Sequence, residues 1–115
     1  MIAYIYKITN TLDGKAYVGK THDLDKRILQ HFSDLRKGKH HSHKLQRAVD
    51  KYGIDNFKVS FEEVEVPDED ALSLLEIQEI EKCDSYNNGY NETLGGDGNK
   101  TALTFEESIL VYQIL

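Results

Sequence analysis

Apolar and polar residues alternate from the first residues of the chain. Ile2, Tyr4, Tyr6 and Ile8 fall on one side and Lys7 and Thr9 on the other, the period-two pattern of a strand with one face turned inward. Asn10 to Lys15 carries the turn pair Asp13-Gly14, and a second short run from Ala16 to Lys20 follows, so the chain is predicted to open with a β-hairpin. The period then changes. Leu24, Ile28, Phe32 and Leu35 recur at helical spacing, with Thr21 or Asp23 as the cap and Lys37-Gly38 as the stop. Leu45, Ala48, Val49 and Tyr52 make a second helical stripe between Ser42 and Gly53, whose other side shows Lys44, Arg47 and Lys51. Phe57, Val59 and Phe61 alternate with Lys58, Ser60 and Glu62 as a third strand. Pro67 breaks it, and Asp68 caps a third helix running to about Lys82. A turn-rich stretch from Asn87 to Gly98 comes next, and Thr104 to Leu115 reads as the start of a further helix with Ile109, Leu110 and Ile114 apolar. The order β-β-α-α-β-α predicts an α+β fold, three short strands with helices packed on them.

At 115 residues the chain suits one domain. No apolar run approaches the roughly 20 residues that span a bilayer, and the N-terminus enters the strand pattern without the regions of a signal peptide; the expectation is a cytoplasmic protein without membrane contact. Cys83 is the single cysteine, which excludes an internal disulfide and points to a half-buried, unreactive thiol. The net charge of -6 argues against a polyanionic partner until it is divided along the chain. Residues 1 to 50 hold 10 Lys and Arg against 5 Asp and Glu, with all five histidines, whereas residues 51 to 115 hold 4 against 15. One face can therefore meet an anion while another keeps the molecule apart from its copies, provided the asymmetry survives folding.

Three groups of residues suggest chemistry. Leu72, Glu76 and Ile80 stand four apart, so Glu76 lies within an apolar stripe, where a carboxylate needs a cation or a hard metal; a structural ion pair or a wet stripe edge would give the same pattern. Arg27 and His31 are also four apart, a pairing suited to a phosphodiester, since guanidinium holds two non-bridging oxygens and imidazole moves a proton. Two surface side chains would share that spacing. Tyr6 and Tyr17 fall on neighbouring strands and could share a face, as core or as catalytic groups. His40, His41 and His43 crowd one loop beside Gly38 and Lys39, which reads better as a phosphate-touching loop than as a metal cluster.

Taken in order, these residues resemble the GIY-YIG nuclease family, and its phage and intron-borne homing endonuclease branch more than its repair or restriction branches. Tyr4-Ile5-Tyr6 stands at the first motif and Tyr17-Val18-Gly19 at the second, about ten residues apart. Lys26-Arg27, His31, the stretch from Asp34 to His41, Lys44 to Ala48 with Lys51-Tyr52-Gly53, Glu76, and Gly89-Tyr90-Asn91 follow. Either short motif alone is weak; the ordered series is strong. Tyr4 replaces the first motif's Gly and Val18 the second motif's Ile, and neither change removes a reactive group.

The resemblance implies a three-stranded antiparallel sheet flanked by helices, a catalytic domain over residues 1–98, and at 99–115 the start of a linker or C-terminal region that continues beyond this chain. It implies hydrolysis of DNA, expected as duplex, with one divalent cation (Mg²⁺ or Mn²⁺) on Glu76. Tyr6 or Tyr17 would activate the attacking water, Arg27 would stabilise the charge on phosphate, His31 and Lys20 would assist proton traffic or lower a tyrosine pKa, and Asn91 would orient the metal region or the phosphate. Tyrosine needs such cations because its ordinary pKa is about 10. Lys20, Lys37, Lys39, His40, His41, Lys44 and Arg47 are the expected nucleic-acid contacts, no obligate protein partner is implied, and sequence recognition would reside in the C-terminal region. The rival readings are a non-catalytic nucleic-acid-binding module on the same fold, which has no need of all six catalytic candidates, and a phosphodiesterase acting on RNA or small nucleotides.

Overall fold

Each helix begins where a short polar side chain is free to satisfy its first backbone N–H groups. Asp23 accepts from the Lys26 N–H at 3.2 Å and opens α1 (Leu24–Arg36), Ser42 accepts from Leu45 at 3.2 Å and opens α2 (His43–Tyr52), and Asp68 accepts from Ala71 at 2.9 Å and opens α3 (Glu69–Cys83). Of the two caps offered for α1, Asp23 is the one used. The strands β1 (Ile2–Asn10), β2 (Ala16–Thr21) and β3 (Phe57–Glu65) form one antiparallel sheet in the order β2-β1-β3. These elements come from a computed structural model that describes residues 1–96. The helix expected from Thr104 and the boundary expected at residue 98 lie outside the described residues.

The central strand corrects the one-sided reading of the N-terminus. β1 is covered on both faces: Ala3 and Ile5 pack with Val18, Val66, Leu72 and Ile80 beneath α3, while Tyr6 and Ile8 pack with Tyr17, Leu35, Leu45 and Val49 beneath α1 and α2. A strand with a helix layer on either side buries both of its alternating sets, so period two no longer separates inside from outside. The opposite correction applies to β3. Val59 and Phe61 were expected to face inward, yet Phe61 is 60 % exposed because none of the helices among the described residues covers that part of the edge strand. Tyr4, in the position of the first motif's Gly, lies half-buried beside it with ring centroids 6.2 Å apart and its hydroxyl donating to Glu63 at 3.2 Å, a packing role at the start of the strand.

Among the described residues no helix is long and apolar enough to cross a membrane. Cys83 is half-buried at the end of α3, and burial together with a hydrogen bond to Glu79 raises its pKa.

Candidate active site

β2 is an edge strand, and its open side is where groups from both faces of the sheet converge. Tyr17 belongs to the α1/α2 cluster and Val18 to the α3 cluster, and both line one cleft of about 180 Å³ together with His41, Glu76, Asn91 and Gly95. The unpaired backbone of β2 is covered locally. Tyr90 donates its N–H to the Ala16 carbonyl at 2.9 Å, and the Asn91 amide accepts from the Val18 N–H at 2.8 Å and donates to the Val18 carbonyl at 2.9 Å. Asn91 thus stands in for a fourth strand at one residue. Its amide is committed to positioning the second motif.

Behind the cleft runs a buried polar chain. The Ser42 N–H donates to His40 Nδ1 at 2.9 Å, His40 Nε2 meets His31 Nδ1 at 2.6 Å, and His31 Nε2 meets the Tyr6 hydroxyl at 2.5 Å. A backbone N–H can only donate, so His40 Nδ1 is an acceptor and its ring proton lies on Nε2. That proton goes to His31 Nδ1, which places the His31 proton on Nε2, directed at Tyr6 Oη. Both rings are neutral near pH 7. Burial, then the charge of Arg27, lowers His31 to about 3, and burial, then His41, lowers His40 to about 4. The Tyr6 pKa is raised by burial, while the charge of Arg27 and a hydrogen bond from it pull the other way. Gly19 makes room for this arrangement, because a Cβ there would overlap the Tyr6 hydroxyl. Tyr6 and Tyr17 do share a face. His31 touches both rings edge-on, with centroids 5.4 and 5.3 Å away, and Tyr17 Oη pairs with His41 Nε2 at 3.0 Å.

Glu76 lies, as the spacing predicts, between Leu72 and Ile80 on the inner face of α3, 8 % exposed. One of its oxygens, Oε1, accepts the Gly96 N–H at 2.8 Å, and its charge is felt at Tyr6. Among the described residues no three His, Cys, Asp or Glu side chains gather as a closed metal cage requires. A hard divalent cation needs less: it binds oxygen, commonly through one or two carboxylates, with water and phosphate filling its other positions. A carboxylate on a cleft whose lining, besides Val18, Ile80, Gly95 and His41, includes the oxygen-bearing Tyr17, Ser42, Glu92 and Thr93 fits that kind of site.

The expected nucleic-acid contacts divide into two sets. Lys37, Lys39, His41 and Arg47 are exposed. His40 is instead 3 % exposed inside the polar chain, where it cannot meet a backbone phosphate directly. Lys20 Nζ donates to Ser73 Oγ on α3 at 2.7 Å, and Lys44 Nζ donates to the carbonyls of Tyr86 and Asn91 at 2.8 and 3.1 Å, so both tie elements together. The residues that sequence reasoning missed are those acting through others. Gln46 is one: its Oε1 accepts the His40 N–H at 3.1 Å and its Nε2 donates to the Leu35 carbonyl, holding the histidine loop against α1. A Gln next to an apolar stripe carries no sequence signal for that task.

The GIY-YIG catalytic domain model matches residues 2–91. The chain is 46 % identical over 88 residues to intron-associated endonuclease 1 of Enterobacteria phage T4, a match covering 76 % of this chain but 35 % of that protein. Among solved structures, the catalytic domain of homing endonuclease I-TevI superposes with a TM-score of 0.74 at 41 % identity, covering 79 % of this chain and 98 % of that one, and a variant of the same domain gives 0.73, covering 81 % and 95 %.

Proposed function

The chain belongs to the GIY-YIG endonuclease family, and from that premise we propose that it is the catalytic domain of a homing-type enzyme that hydrolyses phosphodiester bonds in duplex DNA with one divalent cation, Mg²⁺ or Mn²⁺. The observation that carries the reading is the buried hydrogen-bonded chain ending on Tyr6, with Arg27 beside it, next to a cleft whose wall is formed by Tyr17, His41 and Glu76. A module that only binds nucleic acid has no use for two buried neutral histidines aimed at a phenol, since burying polar groups costs free energy unless every one is partnered.

In this mechanism Tyr6 is the base. With His31 Nε2–H donating to Oη and the charge of Arg27 close by, the phenol oxygen is an acceptor and its own proton points away from His31. The hydrogen bond from His31 and the charge of Arg27 offset part of the rise that burial imposes on the Tyr6 pKa; once the phenol has given its own proton to solvent, the phenolate takes the proton of the attacking water. Arg27 also faces the phosphate, where its fixed charge stabilises the negative charge that grows on the non-bridging oxygens. Glu76 holds the cation, which when bound supplies Lewis-acid polarisation of the phosphate and the leaving oxygen. Tyr17 with His41 forms the cleft wall that contacts the scissile strand, and Asn91 keeps β2 in register behind it. Exposed Lys37, Lys39, His41 and Arg47 meet neighbouring phosphates.

Incubation of the protein with supercoiled plasmid is the test. Nicked or linear DNA is expected only with Mg²⁺ or Mn²⁺, and both Arg27→Ala and Glu76→Ala, still folded, should lose at least about 10²-fold in rate, the scale for removing one preorganised charge from a transition state. Cleavage by Glu76→Ala at the wild-type rate would sink the metal assignment, and an inert wild type would leave the binding module as the better account.

A further inference from the structure

The matched family region ends at Asn91, but the chain returns to the site after it. Glu92, Thr93 and Gly95 line the same cleft as Tyr17 and Glu76, and Gly96 is buried there. Two features bind this strap to α3. Gly95 has φ +100° and lies so close that a Cβ would come 2.9 Å from Ile80 Cδ1, 3.1 Å from Ile77 Cγ1 and 3.3 Å from Glu76 Oε1. Gly96, with φ +78°, delivers its N–H to Glu76 Oε1 at 2.8 Å. Both backbones have a positive φ that disfavours any residue with a side chain, and they do so at consecutive positions.

We propose that the Gly95–Gly96 strap is a positioning device for the metal-binding carboxylate: the Gly96 N–H fixes the rotation of the Glu76 carboxylate, and Gly95 is the residue that lets the strap approach closely enough to deliver it. The proposal rests on the assignment of the cation to Glu76. A ligating carboxylate held by an outer hydrogen bond presents its lone pairs in one direction, whereas a freely rotating one loses entropy when it binds. The N–H is a suitable partner because it meets Oε1 at hydrogen-bond distance along a direction set by the backbone rather than by a rotatable side chain. The functional unit therefore extends at least to Gly96, past the family-matched segment.

The test measures Mn²⁺ affinity by electron paramagnetic resonance on the full chain, with thermal melting as the check on folding. The variants are Glu76→Gln, Gly96→Pro, Gly96→Asn and Gly95→Ala. Proline removes the N–H and cannot adopt positive φ, while asparagine keeps the N–H and tolerates the left-handed region. Removing an outer-layer partner typically weakens a metal site by about 10- to 100-fold, and that loss is expected for Gly96→Pro and for Gly95→Ala, with most of the affinity restored in Gly96→Asn. Wild-type affinity in both Gly96→Pro and Gly95→Ala, alongside loss of binding in Glu76→Gln, would overturn the strap and leave the metal assignment standing. Wild-type affinity in Glu76→Gln would overturn the metal assignment and the strap with it. Should Gly96→Pro melt too low to be measured, Gly95→Ala against Gly96→Asn decides by the same criterion.

Discussion

The two faces of the sheet are packed with different materials. Beneath α3 the contacts are aliphatic, from Ala3, Ile5, Val18, Val66, Leu72 and Ile80. Beneath α1 and α2 the tyrosines Tyr6 and Tyr17 share the interior with His31 and His40, each polar atom spoken for by a neighbour. The first face holds Glu76 in place by excluding water from either side of it along the helix. The second orients reactive groups by hydrogen bonds, which are directional where apolar packing is not. If the division is real, truncation on the α3 face costs stability, and loss of a polar atom on the other costs activity and changes pH behaviour.

The largest effect should come from the polar face. Tyr6→Phe removes the acceptor of the buried His31 Nε2–H, so plasmid cleavage is expected to fall by about 10²- to 10⁴-fold, the usual worth of a general base, with a loss of about 1–3 kcal/mol in stability from the donor left unpaired. Tyr17→Phe should lose less. Equal activity of Tyr6→Phe and wild type across the pH range would remove Tyr6 as the base and promote Tyr17. Next in size is the aliphatic face: Leu72→Ala, at a site 1 % exposed, should cost about 2–5 kcal/mol in a urea titration. A cost under about 1 kcal/mol would show that α3 is not anchored as described.

An intermediate effect is expected on lowering the pH. His31 and His40 titrate at about 3 and 4 in the folded protein, against an ordinary 6.5. Above pH 6.5 they are neutral in both states and contribute no slope. Below it the unfolded chain takes up protons that the folded protein refuses, so stability falls as the pH drops from 6.5 toward 4, by on the order of 2 kcal/mol for each histidine at pH 5. Denaturation midpoints at pH 7.5 and 5 measure this, and His40→Gln should give the shallower loss; an unchanged slope in that variant would contradict the buried neutral pair. The smallest effect belongs to neither face's core. Phe61→Thr on exposed β3 should change stability by within about 0.5 kcal/mol, and a larger loss would mean that the aromatic pair with Tyr4 is a structural contact rather than an uncovered edge.

Much of the fold was legible because it depends on local rules. The three helix starts follow from Asp23, Ser42 and Asp68, and the hairpin from Asp13-Gly14. Glu76 was conspicuous for a reason that survives folding, since spacing of four on a helix always stacks residues on one face. The burial of β1 and the exposure of Phe61 were not legible, because alternation reports that a strand has two kinds of face, not how many layers will cover it. Arg27 could be paired with His31 from spacing, whereas its electrostatic influence on Tyr6 joins residues from different elements.

The sequence by itself determined the elements, the ordered motifs, and the unusual place of a carboxylate in an apolar stripe, all set by neighbours within a few residues or by the kinds of group present. Only the tertiary structure decided which polar residues work on one another. It turned His40 from a surface contact into the second link of a proton-ordering chain, committed Asn91 to the backbone of Val18 and Lys44 to two carbonyls, and brought Gly96 back to Glu76 across 20 residues. Hydrogen bonds between distant segments depend on how the chain closes on itself, and no periodicity along a single chain encodes their geometry.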